Sequence, residues 1–144
     1  MENQVIVLER EFNIPISKIW KAITDKDEMK VWYFDLAEFK AKPGFKFEFV
    51  GGPPENEYVH ECEITEAIPD RKLTYSWKYK GFPGCSYVTF DLSGQQDKTL
   101  LKLTHSGINT FPKDNPDFAI HNFEGGWNYI IHTSLKNYLN EFKQ

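Results

Sequence analysis

Cysteine is nearly absent from this sequence, and the two cysteines that occur stand apart. Among 144 residues, Cys62 and Cys85 form neither a CxxC pair nor the dense framework of a disulfide-stapled domain. Long apolar runs are also missing, since a membrane span needs about 18 consecutive apolar residues. The first residues show no charged segment followed by an apolar core, so we expect no signal peptide. These absences predict a cytoplasmic protein with reduced thiols and no membrane span.

Clusters of positive charge and of metal ligands are missing as well. The formal net charge is -4, from 17 Lys and Arg against 21 Asp and Glu, and the two signs are interspersed. Nucleic acid needs a clustered cationic surface, so no nucleic-acid partner is expected. His121 and His132 would lie about 16 Å apart along a helix, too far to share a metal. Without HxxxH, HExxH, paired-cysteine or G-x-S-x-G spacing, we predict no metal, no cofactor and no serine nucleophile.

Aromatic residues, by contrast, are abundant. They make up 16% of the chain, as twelve Phe, seven Tyr and four Trp. Each buries about 150–250 Å², so a few of them can fill a core or wall a large pocket. Many alternate with polar residues at period two, which is typical of half-buried strands. The clearest such run is Leu73, Tyr75, Trp77 and Tyr79. The composition is compatible with two alternatives, a filled core and an aromatic-walled pocket.

The order of apolar patterns predicts an α+β fold in a single domain over residues 1–144. Val5 to Phe12 forms an opening strand, and Pro15 fits the first turn of an amphipathic helix. Asp25 begins a second short helix. Several short strands joined by turns follow and imply an antiparallel meander. Leu36 to Lys40 is a weak candidate for the first of them, Gly51-Gly52-Pro53-Pro54 is a strong turn signal, and we expect about seven strands in all.

The segment from Asn115-Pro116 to Gln144 predicts one long amphipathic helix, the only element long enough to cover the sheet. Asp114 or Asn115 would cap it, with Pro116 at its first position. Its apolar stripe consists of Phe123, Trp127, Ile130, Ile131, Ser134, Leu135, Tyr138, Leu139 and Phe142. Gly125-Gly126 costs about 1 kcal/mol per residue relative to Ala, so we expect close approach to the sheet or a kink there.

Several motifs, taken in order, carry a family resemblance that spans nearly the whole chain. They are Pro15 with Trp20, Trp32, Pro43-Gly44, Ile68-Pro69-Asp70-Arg71-Lys72-Leu73, Leu103-Thr104-His105-Ser106-Gly107, and Gly126-Trp127 with Leu135 and Tyr138-Leu139. The chain resembles homologues of the activator of heat-shock protein 90 ATPase, within the START and birch-pollen-allergen (SRPBCC) helix-grip superfamily. The resemblance implies a curved antiparallel sheet wrapped around the C-terminal helix, with a cavity between them. Members of the superfamily bind lipids, sterols, polyketides or plant hormones, and some catalyse cyclisations.

The candidate binding residues project from the strands and the long helix toward the space between them. They are Phe47, Phe49, His60, Tyr75, Trp77, Val88, Phe90, His105, Trp127, Ile131, Ser134 and Tyr138. His60 and His105 fall on the apolar face of the sheet, where each is either a proton carrier or ligand anchor, or a core histidine with satisfied hydrogen bonds. Loop aromatics could rim an entrance or cap the core: Phe82, Phe111 and Phe118.

Three functional hypotheses follow. The first is a binding protein, a monomer or small homo-oligomer, that holds a small apolar or amphipathic molecule between sheet and helix. The second is a cyclase, isomerase or hydrolase that uses a cavity histidine, which requires a histidine in the cavity with a perturbed pKa. The third is a protein–protein interaction module that regulates a chaperone.

Overall fold

Six strands form one curved antiparallel sheet in the computed structural model, which describes residues 5–51, 57–95 and 97–140. The strands are β1 (Ile6–Phe12), β2 (Lys46–Gly51), β3 (Tyr58–Ile68), β4 (Lys72–Tyr79), β5 (Ser86–Gln95) and β6 (Lys98–Ser106). Their order is β1-β6-β5-β4-β3-β2, so β2 to β6 form a meander and β1 joins its far edge. The predicted α+β architecture and antiparallel meander are confirmed.

The prediction of about seven strands was too high by one for the described residues. Leu36 and Phe39, in the weak candidate strand, lie in irregular backbone with exposures of only 2% and 8%. Successive strand residues point to opposite faces, so two residues three apart cannot both enter one core from a strand. Irregular backbone lets both do so. Of the predicted turn after β2, Gly52-Pro53-Pro54 lies outside the described residues.

Two short helices lie between β1 and β2, as predicted. They are α1 (Ile16–Thr24) and α2 (Lys26–Trp32). Asp25 is the cap between them, because its Oδ1 accepts hydrogen bonds from the backbone N–H of Asp27 at 2.8 Å and of Glu28 at 3.4 Å. The Trp32 indole donates to the Ala22 carbonyl at 2.8 Å and ties α2 back to α1.

The covering helix begins later than predicted. Asn115 does accept from the backbone N–H of Asp117 at 2.9 Å, but Pro116–Phe118 is a short 3-10 turn. Ala119 is extended, with ψ 144°, and breaks the helix there. The helix then runs continuously through α3 (Ile120–Tyr129), a π-helical segment (Ile130–Leu135) and α4 (Lys136–Asn140). We call residues 120–140 the C-terminal helix; Phe142 and Gln144 lie outside the described residues.

Gly125 and Gly126 do not bring the helix close to the sheet, so the first of the two alternatives, close approach, was wrong. A Cβ atom built on either glycine meets no atom within 4 Å. The irregularity of the helix lies instead at its π segment, where the Ile130 N–H reaches the carbonyls of both Gly126 and Trp127. No described helix combines the length and apolar character that crossing a membrane requires.

Side-chain hydrogen bonds fix the helices and the first strand against one another. Ser134 donates from Oγ to the Trp32 carbonyl at 2.7 Å, which joins the C-terminal helix to α2. Thr99 donates to the Ile14 carbonyl at 2.7 Å and holds the segment after β1 on β6. Cys62 and Cys85 are both free.

The corner after β6 depends on a glycine. Gly107 has φ +84°, in the left-handed region that glycine adopts without strain. It turns the chain into the 3-10 turn Ile108–Thr110, whose Thr110 Oγ1 donates to the Gly107 carbonyl at 2.7 Å. Ile108 and the following Phe111 are thereby buried at the end of the core.

Gly107→Ala should therefore destabilise the protein more than Gly81→Ala, although both glycines have φ +84°. At Gly81 a Cβ meets nothing within 4 Å, so only left-handed strain of about 1–2 kcal/mol is expected. At Gly107 it would lie 2.9 Å from the Cys85 carbonyl oxygen, which adds about 1–3 kcal/mol of overpacking. Urea unfolding of both variants measures the difference. Equal losses would show that the corner relaxes and that the close contact costs nothing.

Candidate functional site

A cavity of about 410 Å³ opens between the sheet and the first half of the C-terminal helix. Its sheet wall consists of Gly51, Tyr58, His60, Trp77 and Tyr79. Its helix wall consists of Asn122, Phe123, Gly126, Trp127 and Ile130. Phe34, from the segment after α2, and Asp117 and Phe118, from the 3-10 turn, complete the lining. The cavity therefore lies in the space that the sequence singled out, toward one end of it.

The walls are mostly aromatic and support one another. Phe49 stacks on the His60 ring with centroids 4.5 Å apart, and Phe34 stacks on Phe49 at 4.1 Å. Phe118 packs against Tyr79 at 4.7 Å and Tyr58 at 5.3 Å, so the 3-10 turn closes one side of the cavity. These contacts give the cavity rigid apolar surfaces, the usual lining of a small-molecule site.

His60 lies in the cavity wall, and its imidazole ring is uncharged at neutral pH. Its Nδ1–H donates to the Tyr58 carbonyl at 3.1 Å, and only 6% of the residue is exposed. Burial lowers the pKa of His60 to about 4, an effect that the carbonyl groups of Tyr58 and Phe49 partly offset. The ring is therefore uncharged at neutral pH. Gly51 makes room for it, because a Cβ there would lie 3.0 Å from His60 Cε1.

His105 is sealed in the core by a chain of hydrogen bonds. The Trp127 indole, which can only donate, gives its N–H to His105 Nδ1 at 2.9 Å. Nε2 must then carry the proton of the neutral ring, and it donates to Ser86 Oγ at 2.8 Å. Ser86 Oγ donates in turn to the Trp77 carbonyl at 2.9 Å. With the residue fully buried, desolvation lowers the pKa of His105 to about 3, which fits a structural histidine.

A tyrosine–carboxylate pair, Tyr58 and Asp117, lies in the cavity lining. Tyr58 donates from its hydroxyl to Asp117 Oδ2 at 2.6 Å, a short charge-assisted hydrogen bond. The Asn115 side-chain amide donates to the same tyrosine oxygen at 3.4 Å. Asn122, also in the lining, donates from its side chain to the Pro116 carbonyl at 2.8 Å. The beginning of β3 is thus joined to the 3-10 turn across the side of the cavity.

Of the candidate binding residues, three line this cavity: His60, Trp77 and Trp127. Buried side chains behind the walls account for most of the others: Phe47, Phe49, Tyr75, Val88, Phe90, His105 and Ile131. Ser134 and Tyr138 lie in the second half of the C-terminal helix, where Ser134 bonds to Trp32 and Tyr138 packs half-buried against the core.

The second half of the C-terminal helix packs into the core, where Leu135 and Leu139 are fully buried. The hydroxyls of the half-buried Tyr33 and the fully buried Tyr75 lie 2.6 Å apart, and desolvation raises the pKa of each well above its ordinary value. Tyr33 also contacts Trp127 at 6.2 Å between ring centroids, just behind the cavity wall. The aromatic residues therefore fill one part of the interior and wall a pocket in the other.

Tyr58, Asp117 and Asn122 were missed by the sequence reasoning. Tyr58 shares the face of His60 by strand alternation, so the signal for it was available. Asp117 had no such signal. In one continuous helix it would lie six residues before Phe123, about 240° around the axis and away from the inner face. The extended Ala119 breaks that register and turns Asp117 toward the cavity.

The loop aromatics divide between the two roles proposed for them. Phe118 lines the cavity, whereas Phe111 caps the core, with its ring 5.1 Å from Tyr79. Phe82 is 37% exposed and contacts Phe118 at 5.2 Å from outside. Within residues 5–51, 57–95 and 97–140, no group of three His, Cys, Asp or Glu residues is placed to hold a metal ion.

Comparison with known proteins identifies relatives in sequence. Residues 13–140 match the model of a family described as Activator of Hsp90 ATPase homolog 1-like protein. The Hsp90 co-chaperone AHA1 of Saccharomyces cerevisiae is 32% identical over 127 residues, which is 83% of this chain. The chain spans only about a third of that relative, 34% of its length.

Solved structures show the same fold. Protein MLL2253 from Mesorhizobium loti has a TM-score of 0.76 at 24% identity, over 96% of this chain and 98% of that one. CalU16 from Micromonospora echinospora has a TM-score of 0.71 at 25% identity, over 97% of this chain and 76% of that one. The predicted helix-grip fold is confirmed.

The two buried histidines should make the folded protein sensitive to acid. Their pKa values, about 4 and about 3, lie below the 6.5 of an exposed histidine. Between those values the unfolded chain binds protons that the folded protein does not, so the free energy of unfolding should fall as pH decreases from 6.5. Each histidine contributes at most about 1.4 kcal/mol per pH unit.

His60→Asn provides the matched variant, since its amide can still donate to the Tyr58 carbonyl but does not titrate. Urea unfolding at pH 7.5, 6.5, 5.5 and 4.5 should give a shallower decline for the variant than for the wild type. Parallel profiles over this range would mean that His60 is protonated as easily in the folded protein as in the unfolded chain.

Proposed function

The chain belongs to the Activator of Hsp90 ATPase homolog 1-like family, and we propose that within it this protein binds a small apolar or amphipathic molecule. The observation that carries the proposal is the cavity of about 410 Å³ between sheet and helix. Its volume falls in the range of about 300–1,000 Å³ that small-molecule sites occupy. Aromatic walls with a few polar groups at one side are the usual lining of such sites.

The division of labour in the cavity follows from its lining. Trp77, Trp127 and Phe123 offer apolar surface to the body of the ligand. Tyr58, Asp117 and Asn122 offer hydrogen-bonding groups to its polar end. Burial of apolar surface would supply most of the affinity, and the polar side would fix the orientation.

Gly126 supports this interpretation, because it leaves open space at the helix wall although a glycine lowers the stability of the helix. A glycine inside a helix is less stable than alanine by about 1 kcal/mol. Gly126 lines the cavity, yet a Cβ there would meet no protein atom within 4 Å. Packing of the protein therefore does not require the glycine, and the missing side chain leaves space at the cavity lining for a ligand.

Proton transfer is less favoured by the same geometry. A general base works best when its pKa lies near the working pH. His105 is enclosed by the Trp127–Ser86 hydrogen bonds and does not line the cavity. His60 does line it, but burial lowers its pKa to about 4, so it would be a weak base at neutral pH.

A chaperone-regulating role is the second candidate, favoured by the 32% identity to the Hsp90 co-chaperone AHA1. The two roles are compatible, since a ligand in the cavity leaves the outer face of the sheet free for another protein. Because the chain spans 34% of that relative, the match does not carry over the activity of the whole relative.

Gly126→Leu should reduce binding of N-phenyl-1-naphthylamine, a neutral apolar fluorophore, at least tenfold. The leucine Cβ would meet no protein atom within 4 Å and the side chain would occupy space at the cavity lining, while helix propensity should keep the variant at least as stable as the wild type. Fluorescence titration measures the affinity, and urea unfolding checks the fold. Gly125→Leu is the control, since Gly125 is equally open but does not line the cavity. Wild-type affinity in both variants would place the fluorophore elsewhere and count against the proposed site.

The chaperone role predicts that the protein raises the ATPase rate of Saccharomyces cerevisiae Hsp90 in a saturable way. The rate is measured at increasing protein concentration, with an inhibitor of the Hsp90 nucleotide site used to subtract unrelated hydrolysis. A rate that stays flat up to a tenfold molar excess would exclude activation of this chaperone by the chain alone.

A further inference from the structure

The Tyr79 hydroxyl belongs to the sheet wall of the cavity and keeps one hydrogen-bonding group unused. Its oxygen accepts the Trp77 indole N–H at 2.9 Å. Because a phenol also carries an O–H donor, this bond satisfies only part of its capacity. No atom of residues 5–51, 57–95 and 97–140 accepts the Tyr79 proton. The residue is 6% exposed, so the donor is buried beside the cavity.

Two other donors in the cavity lining are, by contrast, engaged within the protein. The Trp127 indole N–H donates to His105 Nδ1 at 2.9 Å. The Tyr58 hydroxyl donates to Asp117 Oδ2 at 2.6 Å. Of these three buried or half-buried donors, Tyr79 is therefore the one that keeps a proton for a ligand.

The Tyr79 side chain is held in position by its neighbours. Its ring lies 4.7 Å from the rings of both His60 and Phe118, between centroids, and 5.1 Å from that of Phe111. The Trp77 N–H occupies one side of the hydroxyl oxygen, so the O–H bond is directed to the other side. A donor fixed in this way loses little freedom when a ligand binds, which favours affinity.

A ligand that enters the cavity excludes solvent from this hydroxyl, so the ligand itself must then accept the proton. A buried donor left without an acceptor costs free energy. The bond from Trp77 also strengthens the hydroxyl as a donor, because hydrogen bonds in series polarise one another. Burial raises the pKa of Tyr79, so the hydroxyl keeps its proton at neutral pH, and the same desolvation disfavours an anionic acceptor beside it.

We propose that the cavity selects apolar molecules that carry a neutral hydrogen-bond acceptor, typified by a carbonyl oxygen, and that this oxygen accepts the Tyr79 hydroxyl proton. The inference rests on the proposed binding function and narrows its ligand class. The apolar body contacts Trp127 and Phe123. The carbonyl lies on the side of the cavity where the Tyr79 ring is 5.6 Å from that of Tyr58.

Two naphthalenes of nearly the same shape test the inference at pH 7.5. They are 2-acetylnaphthalene and 2-isopropenylnaphthalene, in which a CH2 group replaces the carbonyl oxygen. Displacement of N-phenyl-1-naphthylamine, followed by fluorescence, gives both affinities. In Tyr79→Phe the ratio of ketone affinity to hydrocarbon affinity should fall about fivefold or more, because the variant retains the ring and loses the donor.

A matched variant and a measurement on the wild type complete the test. Tyr129→Phe removes a hydroxyl from an exposed residue outside the lining, so it should leave the ratio within twofold of the wild type. The infrared carbonyl band of 2-acetylnaphthalene bound to the wild type should lie at lower wavenumber than in hexane, because a hydrogen bond weakens the C=O bond. This second readout does not depend on the folding of any variant.

The outcomes separate this inference from the function beneath it. A carbonyl band at the hexane position, or an unchanged ratio in folded Tyr79→Phe, would overturn the role of Tyr79, and continued binding of the fluorophore would leave the binding function standing. An equal fall of the ratio in Tyr129→Phe would also overturn that role, since the effect would not depend on the cavity hydroxyl. If neither the fluorophore nor either naphthalene binds, both proposals are overturned together.

Discussion

The hydrogen-bond chain from Trp127 through His105 and Ser86 to the Trp77 carbonyl sets the geometry on which the rest of the interior depends. It joins the C-terminal helix to β6, β5 and β4 through buried side chains, with bonds of 2.9, 2.8 and 2.9 Å. Each member has one arrangement that satisfies it, because the indole only donates and thereby fixes the tautomer of the histidine. Both ends of the chain are tryptophans of the cavity wall. The spacing of sheet and helix, and hence the width of the cavity, follows from a fully satisfied polar network in the core.

The two parts of the interior that flank these hydrogen bonds differ in how closely they are packed. Toward the second half of the helix, the Tyr33–Tyr75 pair and the bond from Ser134 to Trp32 fill the space and fasten α2 to the helix. Toward the first half, a glycine faces the sheet across open space. The π segment begins between the two regions, and π-helical segments inside α-helices often accompany functional sites. A single covering element thus packs a core with one half and borders a pocket with the other.

What could be predicted from the sequence follows from where its patterns are regular. Alternation at period two correctly placed Leu73, Tyr75, Trp77 and Tyr79 on the buried face, and the cap at Asp25 was found by its residue type. Where the backbone is irregular, periodicity failed: Leu36 and Phe39 are buried three residues apart, and Ala119 breaks the helical register that would have turned Asp117 away from the cavity. The role of His105 was also beyond reach, because its two partners, Trp127 and Ser86, lie on two other elements. Local patterns determine which residues face inward, but contacts between distant elements decide which of these remain free for a ligand.

The departures from ordinary packing all lie at the same end of the molecule. Gly126 lowers helix stability, Ala119 interrupts the helix, His60 is a buried ring beside a cavity, and the Tyr58–Asp117 pair places a carboxylate next to aromatic walls. A protein under selection for stability alone would fill such a space with side chains, as this one does beside Tyr75. Proteins usually violate local rules at functional sites and offset the cost elsewhere. Here the hydrogen bonds that join Trp127, His105, Ser86 and the Trp77 carbonyl offset that loss of stability. They fix the distance between the helix wall and the sheet wall, and the cavity near Asp117 remains open.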